Sequence, residues 1–169
     1  MEITLLLHNI RSVYNVGAIL RTSEGLGVAK IAYSGYTPRY QDPTLLPHLR
    51  EKLNRQIAKA ALGAEEMVPQ EFVNDPADWL ENQRQAGQKI IGLENNLSAE
   101  EQQRQLILGQ GWSEGRPERV VLVLGEEVHG IPKELRGQMD HFLEIPMQGQ
   151  KESFNVSVAT GIALWELLH

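Results

Sequence analysis

The run Arg119-Val-Val-Leu-Val-Leu124 constrains the fold more than any other stretch of the chain. Unbroken apolar residues cannot make a strand with one wet face; they suit a strand covered on both faces, as in parallel sheets flanked by helices. Lys89-Ile-Ile-Gly-Leu93 has the same character. Periodicity around these runs predicts strands over 3–8, 29–34, 88–93, 119–124 and 142–145, and helices over 15–26, 48–62 and 155–168. Alternation of this kind implies an α/β fold, a mainly parallel sheet flanked by helices. Residues 36–47 and 109–118 carry clustered turn formers and read as surface loops. Ser98-Ala-Glu-Glu-Gln-Gln-Arg-Gln105 opens like a capped helix with a solvated face.

The 169 residues suit one domain, spanning 1–169, with a core large enough to need no staples. With no cysteine, disulfides, thiolate metal ligation and cysteine nucleophiles are excluded. The start, Met1-Glu-Ile-Thr-Leu-Leu-Leu-His-Asn9, reads as a buried strand and not a signal peptide. No apolar stretch approaches the ~20 residues of a membrane span, so a soluble, cytoplasmic protein is expected. His8, His48, His129, His141 and His169 form no ligand-spaced pair, so no metal is expected. The net charge of −6 argues against indiscriminate binding of nucleic acid, whose affinity rests on Lys and Arg, but leaves room for a local basic patch.

Three segments carry the candidate chemistry. In Asn9-Ile-Arg-Ser-Val-Tyr-Asn-Val-Gly-Ala-Ile-Leu-Arg-Thr-Ser23, a strand gives way to a helix for which Asn15 is the expected cap. Val16, Ile19, Leu20 and Ser23 share one face of that helix, and Arg21 points away from it, available to an anion or simply solvated. In Leu122-Val-Leu-Gly-Glu-Glu-Val-His-Gly-Ile-Pro132, an apolar strand ends in Gly125 and leads through an acidic loop and Gly130 into a Pro-initiated helix. Ligands of open α/β sheets sit beyond such strand ends, and glycines let backbone approach them closely. The loop lacks the Lys-Ser/Thr of a P-loop and the close glycines of a dinucleotide fingerprint, which excludes those nucleotide sites. In Glu144-Ile-Pro-Met-Gln-Gly-Gln-Lys-Glu-Ser-Phe-Asn-Val-Ser-Val-Ala-Thr-Gly-Ile-Ala163, a polar loop meets a helix whose Val156, Ala159, Ile162 and Ala163 are expected to pack. Ser153 or Asn155 can cap this helix, or present hydroxyl and amide groups to a purine edge or ribose.

Together and in this order, the segments resemble the signature motifs of SpoU/TrmH-type RNA ribose 2′-O-methyltransferases of the SPOUT superfamily. The matching motifs are Asn-x-Gly-Ala-Ile-x-Arg-Thr, Leu-Gly-x-Glu-x-x-Gly-Ile and Ile-Pro-Met-x-Gly-x-x-Glu-Ser-x-Asn-Val-Ser-Val-Ala. The resemblance covers about residues 8–35 and 119–168, with weaker similarity such as Lys59-Ala-Ala-Leu-Gly-Ala-Glu-Glu66 between.

The resemblance implies a carboxyl-terminal deep trefoil knot formed from about residue 119 onward, an exception to the usual absence of knots. It implies S-adenosylmethionine bound mostly by backbone groups, with Leu93, Gly125, Ile145, Met147, Ser153 and Asn155 lining the pocket. It implies a homodimer packed through the first and last helices, with Arg21 of one subunit facing the cofactor of the other, and methyl transfer to tRNA or rRNA without a metal. Catalysis would centre on Arg21, with Asn15, Glu127, Ser153 and Asn155 completing the site. A guanidinium is effectively always protonated, so positioning the phosphate and ribose asks less of Arg21 than acting as a base. Both ends of the chain read as stopping at the core fold, without added RNA-binding segments. RNA contact is then expected from Arg11, Arg39, Arg50, Lys52, Arg55 and Lys59, with Tyr36 or Tyr40 available to stack on a base, unless this basic stretch is only a solvated face. The rival readings are a catalytically silent RNA-binding scaffold on the same fold and a base-nitrogen RNA methyltransferase.

Overall fold

The computed structural model describes residues 1–106 and 115–169. In chain order the elements are β1 (Glu2–His8), α1 (Val13–Gly25), β2 (Lys30–Ser34), α2 (Pro47–Ala61), α3 (Ala64–Met67), β3 (Gln70–Val73) and α4 (Pro76–Gln85). There follow β4 (Lys89–Leu93), α5 (Ala99–Gln102), β5 (Gln105–Leu106), β6 (Arg119–Leu124), α6 (Lys133–Arg136), β7 (His141–Leu143) and α7 (Val156–Leu168). The loop expected over 109–118 lies partly outside the described residues.

The strands form one sheet in the order β3-β2-β1-β6-β4-β7-β5, and every pairing is parallel. β6 sits between β1 and β4, with Leu122 opposite both Leu5 and Ile91. Its residues from Val120 to Leu124 are buried, as the unbroken apolar run requires. Alternate residues feed two cores. Leu5, Leu7, Ile31, Tyr33, Leu122 and Leu124 pack with α1, α2 and α7, while Leu6, Ala32, Val121, Val123 and Ile90 pack with Leu80 of α4 and Leu135 of α6. Burying one such Leu or Val stabilises the fold by roughly 1.5–3 kcal/mol.

Several local expectations need correction. Ser12, not Asn15, caps α1: its Oγ accepts from the Asn15 backbone N–H at 3.3 Å, which frees the Asn15 side chain. The stretch opening at Ser98 does form a capping box with Glu101, but it makes a single turn before the chain extends into β5. The strand expected to 145 ends at Leu143. On α7 the buried face is Thr160, Ala163, Leu164 and Leu167, and Ile162 points outward, because the helix turns its 160/163/164/167 stripe toward the core shared with α1. Asn155 caps that helix through a bond from the Ser157 N–H at 2.9 Å.

Candidate active site

The carboxyl ends of β4 and β6, the turn after β6 and the loop before α7 enclose an open cleft of about 330 Å³. A turn built on two glycines forms part of its wall. Glu126 and Gly130 pair in antiparallel fashion, Glu126 N donating to Gly130 O at 3.1 Å and Gly130 N to Glu126 O at 2.8 Å. A Cβ on Gly125 would stand 2.2 Å from the Gly130 carbonyl carbon, and one on Gly130 would stand 2.2 Å from Glu94 Oε2. Gly130 also adopts φ +70°, the left-handed region that glycine tolerates.

Glu94, the residue after β4, ties the two strand ends together. Its Oε2 accepts from Ile131 N at 2.8 Å and its Oε1 from Asn95 N at 3.0 Å. Arg136 approaches Glu94 at 3.5 Å and grips Glu101 with two contacts of 2.7 Å. Burial pushes the Glu94 carboxyl up, against the hydrogen bond from Ile131 and the charge of Arg136.

Glu127 joins the same turn to the start of α1. It accepts from Arg11 N at 3.0 Å, Ser12 N at 3.1 Å and the Asn15 side-chain amide at 3.0 Å. Asn15 Oδ1 in turn accepts from Asn155 Nδ2 at 3.1 Å. Burial raises the Glu127 carboxyl, but the backbone bonds from Arg11 and Ser12, together with the Asn15 amide, outweigh it and hold the group below its ordinary value. Glu126 beside it pairs with Arg11 at 3.3 Å and with His129. A third tie links Asn95 Nδ2 to the Glu152 carbonyl at 2.9 Å, closing the loop before α7 over the cleft.

Of the residues expected from sequence, Leu93, Gly125, Glu127, Ile145, Ser153 and Asn155 all line this cleft. Asn15 stands behind Glu127 and Asn155, bonded to both. Met147 is partly buried in the neighbouring loop and is not among the lining residues. Arg21 is exposed on α1, away from this cleft, and makes no hydrogen bond or ion pair among the described residues. Sequence reasoning missed Glu94, Asn95 and Arg136; the first two could have been found as the polar residues directly following an apolar parallel strand. No three His, Asp or Glu residues among those described are placed to hold a metal ion. No helix among them is long and apolar enough to cross a membrane.

A parallel sheet bearing a glycine-walled, acid-lined cleft at its carboxyl edge defines an α/β protein whose cleft lies where open sheets of this kind take their ligands. Residues 2–165 match the SpoU rRNA Methylase family, and the chain belongs to that family. It is 32% identical over 168 residues to the 23S rRNA (guanosine-2'-O-)-methyltransferase RlmB of Pseudomonas aeruginosa, covering 99% of this chain and 59% of that one. The AdoMet-bound rRNA methyltransferase from Sinorhizobium meliloti superposes with a TM-score of 0.77 at 26% identity, over 98% of this chain and 55% of that one. The A. aeolicus TrmH/SpoU tRNA modifying enzyme gives 0.74 at 26% identity, over 99% of this chain and 74% of that one. The chain thus spans less than three fifths of the curated relative it matches.

Proposed function

We propose that this chain transfers a methyl group from S-adenosylmethionine to a ribose 2′-hydroxyl of ribosomal or transfer RNA. The observation that carries the reading is the charge of the cleft: Glu94, Glu126, Glu127 and Glu152 line it, with the guanidinium of Arg136 beside them. Such a lining repels a polyphosphate and suits a phosphate-free ligand with cationic amine and sulfonium groups. The glycines at 125 and 130 leave room for backbone to approach a ligand, and about 330 Å³ falls within the range of small-ligand pockets. The names of the Pseudomonas and Sinorhizobium proteins agree with this chemistry.

When bound, S-adenosylmethionine supplies an electrophilic methyl group on a sulfonium. A ribose 2′-oxygen would accept that methyl group, with S-adenosylhomocysteine as the leaving group and the hydroxyl proton passing to solvent. Leu93 and Ile145 offer apolar walls to the purine, while Ser153 and Asn155 hold polar edges. Glu127 fixes the start of α1 and the amide of Asn15, and Asn15 in turn orients Asn155, which meets the ribose. Arg21, unpaired among the described residues of its own subunit, holds the RNA phosphate, which places the 2′-hydroxyl in line. Positioning of this kind requires no metal.

Arg21 reaches a cleft through a second copy of the chain. Val158, Ile162 and Trp165 form an exposed apolar stripe on α7, Trp165 being 58% exposed, and Tyr14 on the adjoining α1 is exposed as well. This surface supports a homodimer packed through the first and last helices. Residues 1–169 act as one methyltransferase domain, and the segment from about 119 onward threads into a trefoil knot, a reading that rests on membership of the family. Ribosomal or transfer RNA would be met in the cytoplasm. The test is incubation of the pure protein with methyl-labelled S-adenosylmethionine and RNA from cells lacking it. Incorporation into tRNA or rRNA supports the reading; cofactor-independent RNA binding with no incorporation overturns it in favour of a silent scaffold.

A further inference from the structure

We propose that Tyr36 is a stacking platform for a base of the RNA next to the nucleotide that is methylated, an inference that rests on the function proposed above. Of the two tyrosines that the sequence offers for this role, Tyr40 is engaged: it is half-buried against the main core and its hydroxyl donates to Glu66 at 3.0 Å. Tyr36 is 57% exposed, and its hydroxyl has no partner among the described residues.

The backbone beneath that ring is held with unusual care. Tyr36 N donates to Asn9 Oδ1 at 3.2 Å. Asn9 itself lies at φ +59° and Gly35 at φ +64°, and a Cβ on Gly35 would stand 1.8 Å from Asn9 Oδ1. Asn9 Nδ2 is 3.1 Å from His8 Nε2, and His8 Nδ1 is 2.8 Å from Ser34 Oγ, so a chain of buried polar groups fixes the amide that holds the turn. Thr37 Oγ1 accepts from Ile10 N at 3.0 Å and locks the far side. A left-handed non-glycine residue costs free energy and persists only when its surroundings over-determine it. What this latch presents to solvent is one large aromatic ring on a fixed backbone.

The turn that carries the ring follows the carboxyl end of β2, the same end of the sheet at which the cleft opens. His8 and Ser34 are register partners at the carboxyl ends of β1 and β2, and the segment after Asn9 runs directly to Arg11 and Ser12, whose N–H groups bind Glu127. β2 lies two strands from β6, on the order of 10 Å, a gap that a short unstacked length of RNA can bridge. Proteins that read RNA take unstacked bases on aromatic faces.

The test compares methyl transfer by wild type, Tyr36→Ala, Tyr36→Phe and Tyr36→Trp on the unmodified tRNA and rRNA pool. Loss of one stacked base raises the KM for RNA in Tyr36→Ala by about 5- to 150-fold, with the KM for S-adenosylmethionine and the melting temperature unchanged. Tyr36→Phe and Tyr36→Trp, which keep a ring, stay near wild type. An unchanged RNA KM in Tyr36→Ala, or loss in Tyr36→Phe equal to that in Tyr36→Ala, overturns stacking while leaving the methyltransferase reading intact. Failure of the wild type to label any RNA overturns both.

Discussion

Asn155 donates its side-chain amide to Asn15 Oδ1 at 3.1 Å, joining two residues 140 positions apart. Asn15 passes the connection to Glu127 at 3.0 Å, so the start of α1, the turn after β6 and the cap of α7 share one polar chain. Each amide is thereby oriented by its neighbours. In Asn15→Ala and Asn155→Ala, singly and together, a double-mutant cycle of unfolding free energies is expected to give a coupling of about 0.5–1.5 kcal/mol. Independent effects would mean that the contact has no energetic weight.

Arg21 has no partner among the described residues, so its removal takes nothing from the fold. Arg21→Ala is expected to unfold at the wild-type temperature and to bind S-adenosylmethionine normally, while methyl transfer falls by about 100-fold or more through lost positioning. Arg21→Lys restores the charge but not the planar fork and is expected to rescue little. Calorimetry and initial rates together check this.

The acid side of the stability profile follows from Glu101. The Arg136 guanidinium beside it holds its carboxyl down from 4.5 to about 2. A carboxyl depressed in the folded state contributes its stability above the unfolded value and loses it as pH falls toward the folded one. Unfolding free energy is therefore expected to decline between pH 4.5 and about 2, with Glu127, also depressed, adding to the same fall. Glu94, raised by burial, acts in the opposite sense and above that interval, where protonation of the folded carboxyl relieves a destabilising charge as pH falls toward 4.5. Urea titrations of Glu101→Gln should show a shallower decline over that interval.

Trp165, exposed with Val158 and Ile162 on α7, tests the dimer. Trp165→Glu puts a charge into the proposed interface while leaving the buried stripe at Thr160, Ala163, Leu164 and Leu167 untouched. Sedimentation is expected to show a dimer for the wild type and a folded monomer for the variant, with methyl transfer lost because Arg21 no longer meets a neighbouring cleft. A wild-type monomer that still transfers methyl would contradict this.

The central strands were legible because burial on both faces leaves an unbroken apolar run, as in β6 and β4. The edge strands were not. Gln70–Val73 buries only Val73, and Gln105–Leu106 is two residues long, so neither carries a periodic signal. α4 hides for the same reason, since Leu80 is its one buried residue. The insertion of β6 between β1 and β4 is a pairing of distant segments that local pattern does not encode. Motif residues such as Gly125, Glu127 and Asn155 do line the candidate cleft. Glu94 and Arg136 were not legible, because their meaning lies in the Ile131 N–H and the Glu101 carboxylate that folding brings to them. Asn15 was found as a cap and acts otherwise, because Ser12 takes the capping position first.

The position of the transferred methyl within the nucleotide tests the central claim most directly. RNA labelled by the wild-type protein would be hydrolysed in alkali and its products separated by mass. A 2′-O-methyl blocks cleavage of its own phosphodiester, so label is expected in alkali-resistant dinucleotides carrying the methyl on ribose. Label recovered in single nucleotides carrying the methyl on a base nitrogen would contradict it.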